Sequence, residues 1–453
     1  MSPELEELAV KVVAAARQQG ADDAECVLQC GREFSTTVRL GEIEALKEAD
    51  SRGLGVRVFV GKRSASTYSN DLGWTALEET VRAALAMARA GTEDPFSGLP
   101  EKEEQGSREA ARSNGLRIFY PGTAELEPEA GIALAKACER AALDWDARIR
   151  NSEGASFEAG ESHRILASTR NFLGAWSQSV CSLSAAPIAE ADGKMQRDFW
   201  YALAHQRPGL EAPEAVGRTA AQRALRRLGA RKPATARLPV VFDPLTARSL
   251  LEHVFQAVEG NAIYRGASFL AGKLGEAIAD SAVTLVDDGC MPGGYGSRPF
   301  DAEGVASRRT VVIENGVLRS YLHNCYSARK LGQAGTGNAA RGLAGTPGIA
   351  PSNLFLLPGK RSPAALLGDI KQGLYVTELI GFGFNPVTGD YSRGACGLWI
   401  ENGELAYPVE EITIAGNLKE MLVHLAEIGN DLEFRGAIAS PTLRIEGLTV
   451  AGA

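Results

Sequence analysis

The chain has 453 residues, a formal net charge of −8, 45% hydrophobic residues and 23% charged ones. These values exclude global disorder, which needs low hydrophobicity with high net charge, and argue against a strongly basic nucleic-acid-binding chain. The length exceeds what one core comfortably serves, so two or three domains are expected.

Leu5, Leu8, Ala9, Val12, Val13 and Ala16 recur at helical spacing, so the chain opens with an amphipathic helix. Arg39–Glu44 reads as a strand interrupted by a turn, and Leu54, Val56, Val58 and Val60 alternate strictly up to a hairpin turn at Gly61-Lys62. A second helix is predicted over Thr75–Ala90. Thr92–Asn114, rich in Pro, Gly, Glu and Lys, reads as an exposed linker. A third helix spans Pro128–Leu143, with Pro128 in its first turn. Asn151–Ala204 is Ser-rich and alternating, as antiparallel strands are. A fourth helix covers Pro213–Leu228 and ends at Gly229. After Pro233 the composition shifts to short β-branched runs: Leu238–Phe242, Ala282–Val286, Thr310–Ile313, Leu374–Thr377, Leu398–Ile400 and Glu411–Ile414. Asn315-Gly316 and Asn402-Gly403 are hairpin signals, and helices are expected at Thr246–Glu259 and Ser362–Gln372. The 50 glycines, without a collagen period, fit such turn-rich β structure. The fold class is α+β: N-terminal α+β lobes, then a β-rich C-terminal domain, barrel-like or a folded antiparallel sheet. The boundaries are 1–92, a linker at 93–114, 115–232 and 233–453.

No pair among the seven cysteines has CxxC spacing, so they read as reduced thiols packed as small hydrophobes. Residues 1–20 are acidic early and lack a signal-peptide pattern, and no run nears the ~18 apolar residues of a membrane span. A soluble, cytoplasmic protein is expected.

Candidate chemistry is sparse. None of His163, His205, His253, His323 and His424 pairs at the i, i+4 spacing that puts two imidazoles on one helix face for zinc. Glu252 and His253 are adjacent, so they point about 100° apart on a helix. Gly266-Ala267-Ser268-Phe269-Leu270 starts like a nucleophile elbow but lacks the closing Gly. Gly293–Gly296 and Gly335-Thr336-Gly337 lack the Lys-Ser/Thr of a phosphate loop. Asp287-Asp288 and Asp301-x-Glu303 flank a Gly-rich segment, Gly289–Gly304, with Arg298, Arg308 and Arg309 nearby. That segment reads equally as a loop presenting charge to a cleft or as an ion-paired turn. Arg218–Arg237 is the one basic stretch; with no interleaved aromatics it reads as a solvated helix face rather than a nucleic-acid platform.

Several runs carry a resemblance: Gly53–Val58, Glu259–Leu270, Pro299–Val305, Ser327–Gly332, Thr377–Gly381, Gly389–Ala395 and Glu446–Gly452. In this order, over essentially the whole chain, the sequence resembles the TldD/PmbA family, nearest its PmbA/TldE branch. The resemblance implies a cytoplasmic system acting on small unfolded peptides, linked to peptide-antibiotic maturation and to degradation of a peptide antitoxin. TldD-branch members carry zinc on a helical His-Glu-x-x-x-His motif with a distant Cys. PmbA-branch chains pair with them as heterodimers, and an older label, modulator of DNA gyrase, attaches to the family.

Here the motif falls on Leu251-Glu252-His253-Val254-Phe255-Gln256, and the distant segment reads Arg435–Pro441 without Cys. Leu cannot ligate zinc and Gln is a poor ligand, so only Glu252 remains as a weak catalytic candidate. The implied chain is a non-catalytic subunit without its own metal, with zinc in a TldD-type partner; alone it can pair with itself. Arg265, Asp301, Glu303, Asn338 and Arg341 are the expected cleft residues. Two rival readings stand beside this one. The first is a non-proteolytic binding or regulatory protein. The second is a self-sufficient hydrolase using Glu252 and His253.

Overall fold

A computed structural model describes residues 3–106 and 114–452. Elements in the N-terminal half are α1 (Pro3–Gln18), β1 (Asp23–Arg39), β2 (Glu42–Val60), β3 (Arg63–Ser69), α2 (Trp74–Ala90), α3 (Pro128–Leu143), β4 (Ile149–Ser168), β5 (Leu173–Ala191), β6 (Lys194–Arg197), β7 (Trp200–Ala204) and α4 (Pro213–Leu225). All seven strands join one antiparallel sheet in the order β3-β2-β1-β4-β5-β6, with β7 also on β5. It therefore runs through both segments that the sequence divides at 93–114.

Alternation gives this sheet two faces. On one, Cys26, Leu28, Val56 and Ile165 pack under α1 and α2, while Phe34, Phe157 and Leu183 pack under α3 and α4. The helices supply matching apolar stripes, Ala9, Val12 and Ala16 on α1 and Leu77, Val81 and Leu85 on α2. The opposite face is covered by the C-terminal half. Val27, Leu166 and Phe172 bury Phe300, whose ring meets that of Phe172 edge-on at 5.1 Å.

In the C-terminal half, β8 (Ala236–Phe242) leads into α5 (Pro244–Val258) and the short α6 (Gly260–Tyr264). Then come β9 (Leu285–Asp288), β10 (Arg309–Glu314), β11 (Val317–Leu318), α7 (Cys325–Leu331), β12 (Ala339–Ala340), β13 (Gly348–Ile349), β14 (Leu354–Leu356) and α8 (Pro363–Gly368). The chain ends with β15 (Gln372–Ile380), β16 (Asp390–Glu401), β17 (Glu404–Asn417), α9 (Leu418–Val423), β18 (Leu425–Ile428), β19 (Ile438–Ala439) and β20 (Leu443–Ala451). Strands pair in the order β17-β16-β15-β8-β20-β18, and a further pairing of β17 with β20 closes five of them into a small mixed barrel. Closure removes the open edges of a sheet. Inward side chains such as Phe242, Val376, Ile414 and Ile445 fill the core on which α5 packs. The fold is α+β.

The Asn-Gly turns form as two-residue hairpins: Asn315 and Gly316, and likewise Asn402 and Gly403, all have positive φ. The supposed linker is only partly exposed. Leu99 and Pro100 are buried, and the Gly106 N–H donates to Gly304 O at 2.9 Å. Arg329 fastens the preceding rim, donating to the carbonyls of Phe96, Gly98 and Leu99. Residues 107–113 of that stretch lie outside the described residues.

The basic stretch is a strap between α4 and the barrel. Arg223 Nε meets Asp198 at 3.2 Å, Arg227 meets Glu378 at 2.6 Å and Lys232 meets Glu411 at 2.6 Å, while Arg231 lies over the Tyr407 ring.

Candidate functional site: helix α5 and an interdomain cleft

Helix α5 starts where Asp243 caps it, its carboxylate accepting the Thr246 N–H at 2.8 Å, with Pro244 in the first turn. Apolar residues at helical spacing (Leu250, Leu251, Val254, Ala257 and Val258) turn into the core. Leu251 packs there among Leu443, Ile445 and Val283. Glu252 and Gln256, one turn apart, both face solvent. The three motif positions therefore diverge. The Arg435–Pro441 segment brings no ligand: Arg435 is tied to Glu211 and Glu433, each at 2.8 Å, and the buried Ser440 hydroxyl donates to Pro441 O. Among the described residues no group of three or more His, Cys, Asp or Glu is placed to hold a metal ion. These side chains do not fit zinc, which needs three protein ligands converging on an open site.

The histidines are occupied elsewhere. His205 bridges Ser179 O and Gly293 O, His323 sits between Ser327 and Gln333, and His163 contacts Ser177. His424 is exposed on the turn after α9. His253 differs: it is buried with neither ring nitrogen hydrogen-bonded, stacked on Phe384 at 4.6 Å. Burial, reinforced by Arg393, pushes its pKa down to about 4, so at neutral pH it is a neutral aromatic plug. Ser268 is equally structural, its hydroxyl donating to Ala257 O at 2.5 Å.

A concavity lies between the N-terminal sheet and the C-terminal half, with a volume of about 410 Å³. Its floor is a buried charge network. Arg57 on β2 meets Glu25 of β1 at 2.8 Å and Glu303 at 3.4 Å, and Arg341 meets Glu25 at 3.0 Å. Glu303 also accepts the Cys325 N–H at 2.8 Å. Burial opposes the charge on Arg57, but Glu25 and Glu303 outweigh it and its pKa lies above the ordinary arginine value. Two arginines against two carboxylates leave the floor balanced, as buried charge requires. Beside it Asp301 accepts the N–H groups of Glu303, Val305 and Ala339. Burial, with Glu303 close by, lifts its pKa above the ordinary carboxylate value.

The structure thus places Arg265 and Glu303 on the cleft wall. Arg341 lies beneath it through Glu25, and Asp301 supports the Glu303 loop. Asn338 stands apart, donating to the Asp287 carboxylate at 2.7 Å; the Ser352 N–H also donates to that carboxylate, so Asp287 holds a loop corner. Sequence reasoning missed the other wall residues, Arg57, Lys62, Phe96, Tyr264 and Tyr326. The available signal was Arg57, a cation amid the Leu54–Val60 alternation, on positions that read as solvent-facing. The C-terminal half covers that face.

At the mouth, three rings form one wall. The Lys330 ammonium sits 4.3 Å from the Phe96 ring centre, 5.3 Å from Tyr326 and 6.0 Å from Tyr264. The Tyr326 hydroxyl donates to Asp94 at 2.7 Å. Arg265 is exposed, its Nε donating to the Tyr264 hydroxyl at 3.0 Å.

Three family models match in order: PmbA/TldA metallopeptidase domain 1 over residues 24–88, the central domain over 121–228 and the C-terminal domain over 235–452. The chain is 38% identical over 432 residues to metalloprotease PmbA of Escherichia coli O157:H7, covering 95% of this chain and 93% of that one. A Haemophilus influenzae homologue of PmbA is 33% identical, with 92% and 90% covered. A crystal structure from Bacteroides thetaiotaomicron, provisionally labelled a modulator of DNA gyrase, superposes with a TM-score of 0.91 at 28% identity, covering 100% of both chains. TldE of Thermococcus kodakarensis shares the fold, with a TM-score of 0.87 at 22% identity and 98% and 99% covered. The chain belongs to the PmbA/TldD metallopeptidase family.

Proposed function

We propose that this chain is the PmbA/TldE-type subunit of a two-chain cytoplasmic zinc metallopeptidase that processes or degrades small unfolded peptides. It holds no zinc of its own; a TldD-type partner with His-Glu-x-x-x-His supplies the metal and the hydrolytic water. This chain completes the substrate channel and holds the peptide. The observation that carries the reading is the divergence of the motif positions on α5, with Leu251 in the core and Glu252 and Gln256 in solvent. A Glu base with no metal-bound water beside it has nothing to activate in this mechanism.

A peptide has somewhere to pair. β3 covers β2 only from Leu54 to Val60, so among the described residues the Glu42–Gly53 half of β2 has no strand on its outer side. Such an edge accepts an extended peptide by main-chain hydrogen bonds. The basic stretch, by contrast, is engaged with carboxylates and a ring of the chain itself.

Co-expression with a His-Glu-x-x-x-His partner tests the reading. The two chains should co-purify and cleave an unfolded peptide, and each chain alone should be inactive. Partner activity unchanged when this chain is left out would contradict it.

A further inference from the structure

We infer that the interdomain cleft recognises a carboxylate on a peptide, set beside an apolar or aromatic residue. The inference rests on the peptide-holding role proposed above and names what that role reads.

Charge carries the first step. The carboxylates on the cleft wall are already satisfied. Asp94 accepts the Tyr326 hydroxyl at 2.7 Å and the Phe96 N–H at 3.0 Å, and Glu303 is bonded to Arg57 and the Cys325 N–H. Two cations at the mouth have no carboxylate partner. Lys62 and Arg265 both line the cleft, both are exposed, and among the described residues neither forms an ion pair with a carboxylate. With the floor balanced, Lys62, Arg265 and Lys330 at the mouth stand against two carboxylates, Asp94 and, acting on Arg265, Glu259, so a surplus of positive charge sits over low-dielectric walls that strengthen its pull on an anion. Arginine and lysine donors bind carboxylates by charge-assisted hydrogen bonds, roughly twice as strong as neutral ones.

Shape carries the second step. About 410 Å³ falls within the usual range for small-ligand sites, and Phe96, Tyr264 and Tyr326 give it an apolar side next to the cations. The rim is fixed in advance. The Asp94 N–H donates to Lys62 O at 3.0 Å, tying the rim to the β2–β3 turn, and Arg329 pins the carbonyls of Phe96, Gly98 and Leu99. Preorganisation of this kind lowers the ordering cost of binding.

Titration calorimetry of the full chain tests this with three peptides: acetyl-Ala-Ala-Phe with a free C-terminal carboxylate, the same peptide as its amide, and acetyl-Ala-Glu-Phe amide. The free acid should bind about tenfold or more tightly than the neutral amide, and its affinity should fall between 50 and 500 mM salt. Lys62→Gln and Arg265→Gln, at exposed positions, should each remove most of that preference, and Arg265→Lys should restore part of it. Binding of the Glu-containing amide as tight as the free acid would assign recognition to any carboxylate; weaker binding would assign it to the C-terminus. Equal binding of acid and amide, no binding of any peptide, or a preference untouched by both Gln variants would overturn the inference. The two-chain peptidase separates this from the parent reading. Activity that needs this chain but keeps its KM for acidic peptides in both Gln variants would sink the carboxylate site alone.

Discussion

Arg57 holds two carboxylates from different halves of the chain, Glu25 on its own sheet and Glu303 from the C-terminal half. Removing one member of a buried charge network leaves the others uncompensated, which costs about 3–5 kcal/mol. Arg57→Met should therefore destabilise the chain by that amount in urea unfolding. Adding Glu303→Gln should recover part of the loss, because among the described residues Arg57 is the only ion-pair partner of Glu303, whereas Glu25 keeps Arg341. A double variant no better than the single one would contradict the network. His253 makes a pH prediction. Its folded pKa of about 4 lies below the ordinary 6.5. The unfolded chain then binds more protons between these values, so stability falls as pH drops through that window. The loss attributable to His253 at pH 5 is about 2 kcal/mol. His253→Phe, which keeps the stack on Phe384, should lose correspondingly less between pH 7.5 and pH 5; equal losses would show that His253 is not buried in its neutral form. Glu252, by contrast, faces solvent, and Glu252→Gln should leave the two-chain activity unchanged.

At the scale of elements, a β-carbon on Gly55 of β2 would lie 1.8 Å from Leu343 O, so the strand touches the Arg341-bearing segment backbone to backbone. Gly55→Ala should force the two halves apart, lowering stability by about 1–3 kcal/mol and loosening the cleft floor. Hydrogen exchange at Leu343 and neighbouring amides, faster in the variant, would show it; unchanged exchange would not fit. The same scale shows what was legible beforehand. Helix α3 falls on Pro128–Leu143 as read, because its apolar spacing and N-terminal Pro are local signals. Helix α8 is shorter than its pattern, ending at Gly368 rather than Gln372, since Asp369 caps it and the chain turns through Ile370 and Lys371 into β15, which takes Gln372. Ala282–Val286 reads as a strand, yet β9 begins at Leu285, because Val283 is drawn into a turn from Asp280. The long β4 and β5 show only as alternation, with no signal for their 20- and 19-residue lengths. The cleft was the least legible part. Arg265 and Glu303 could be named from one stretch of chain, but Arg57 and Phe96 join them only through long-range docking, which no local pattern encodes.

At the scale of the whole molecule, fold and motif diverge. The fold keeps the family's complete architecture, a long-stranded sheet against a closed barrel, while the motif helix has turned its first position into core and left the other two in solvent. The cleft, not the helix, is where charged and aromatic side chains from both halves meet. Zinc stoichiometry of this chain, expressed alone and purified without chelators, measures the central point most directly. Elemental analysis should find far less than one zinc per chain, with metal appearing only when a His-Glu-x-x-x-His partner is present. About one tightly held zinc per isolated chain would contradict the proposed division of labour between the two subunits.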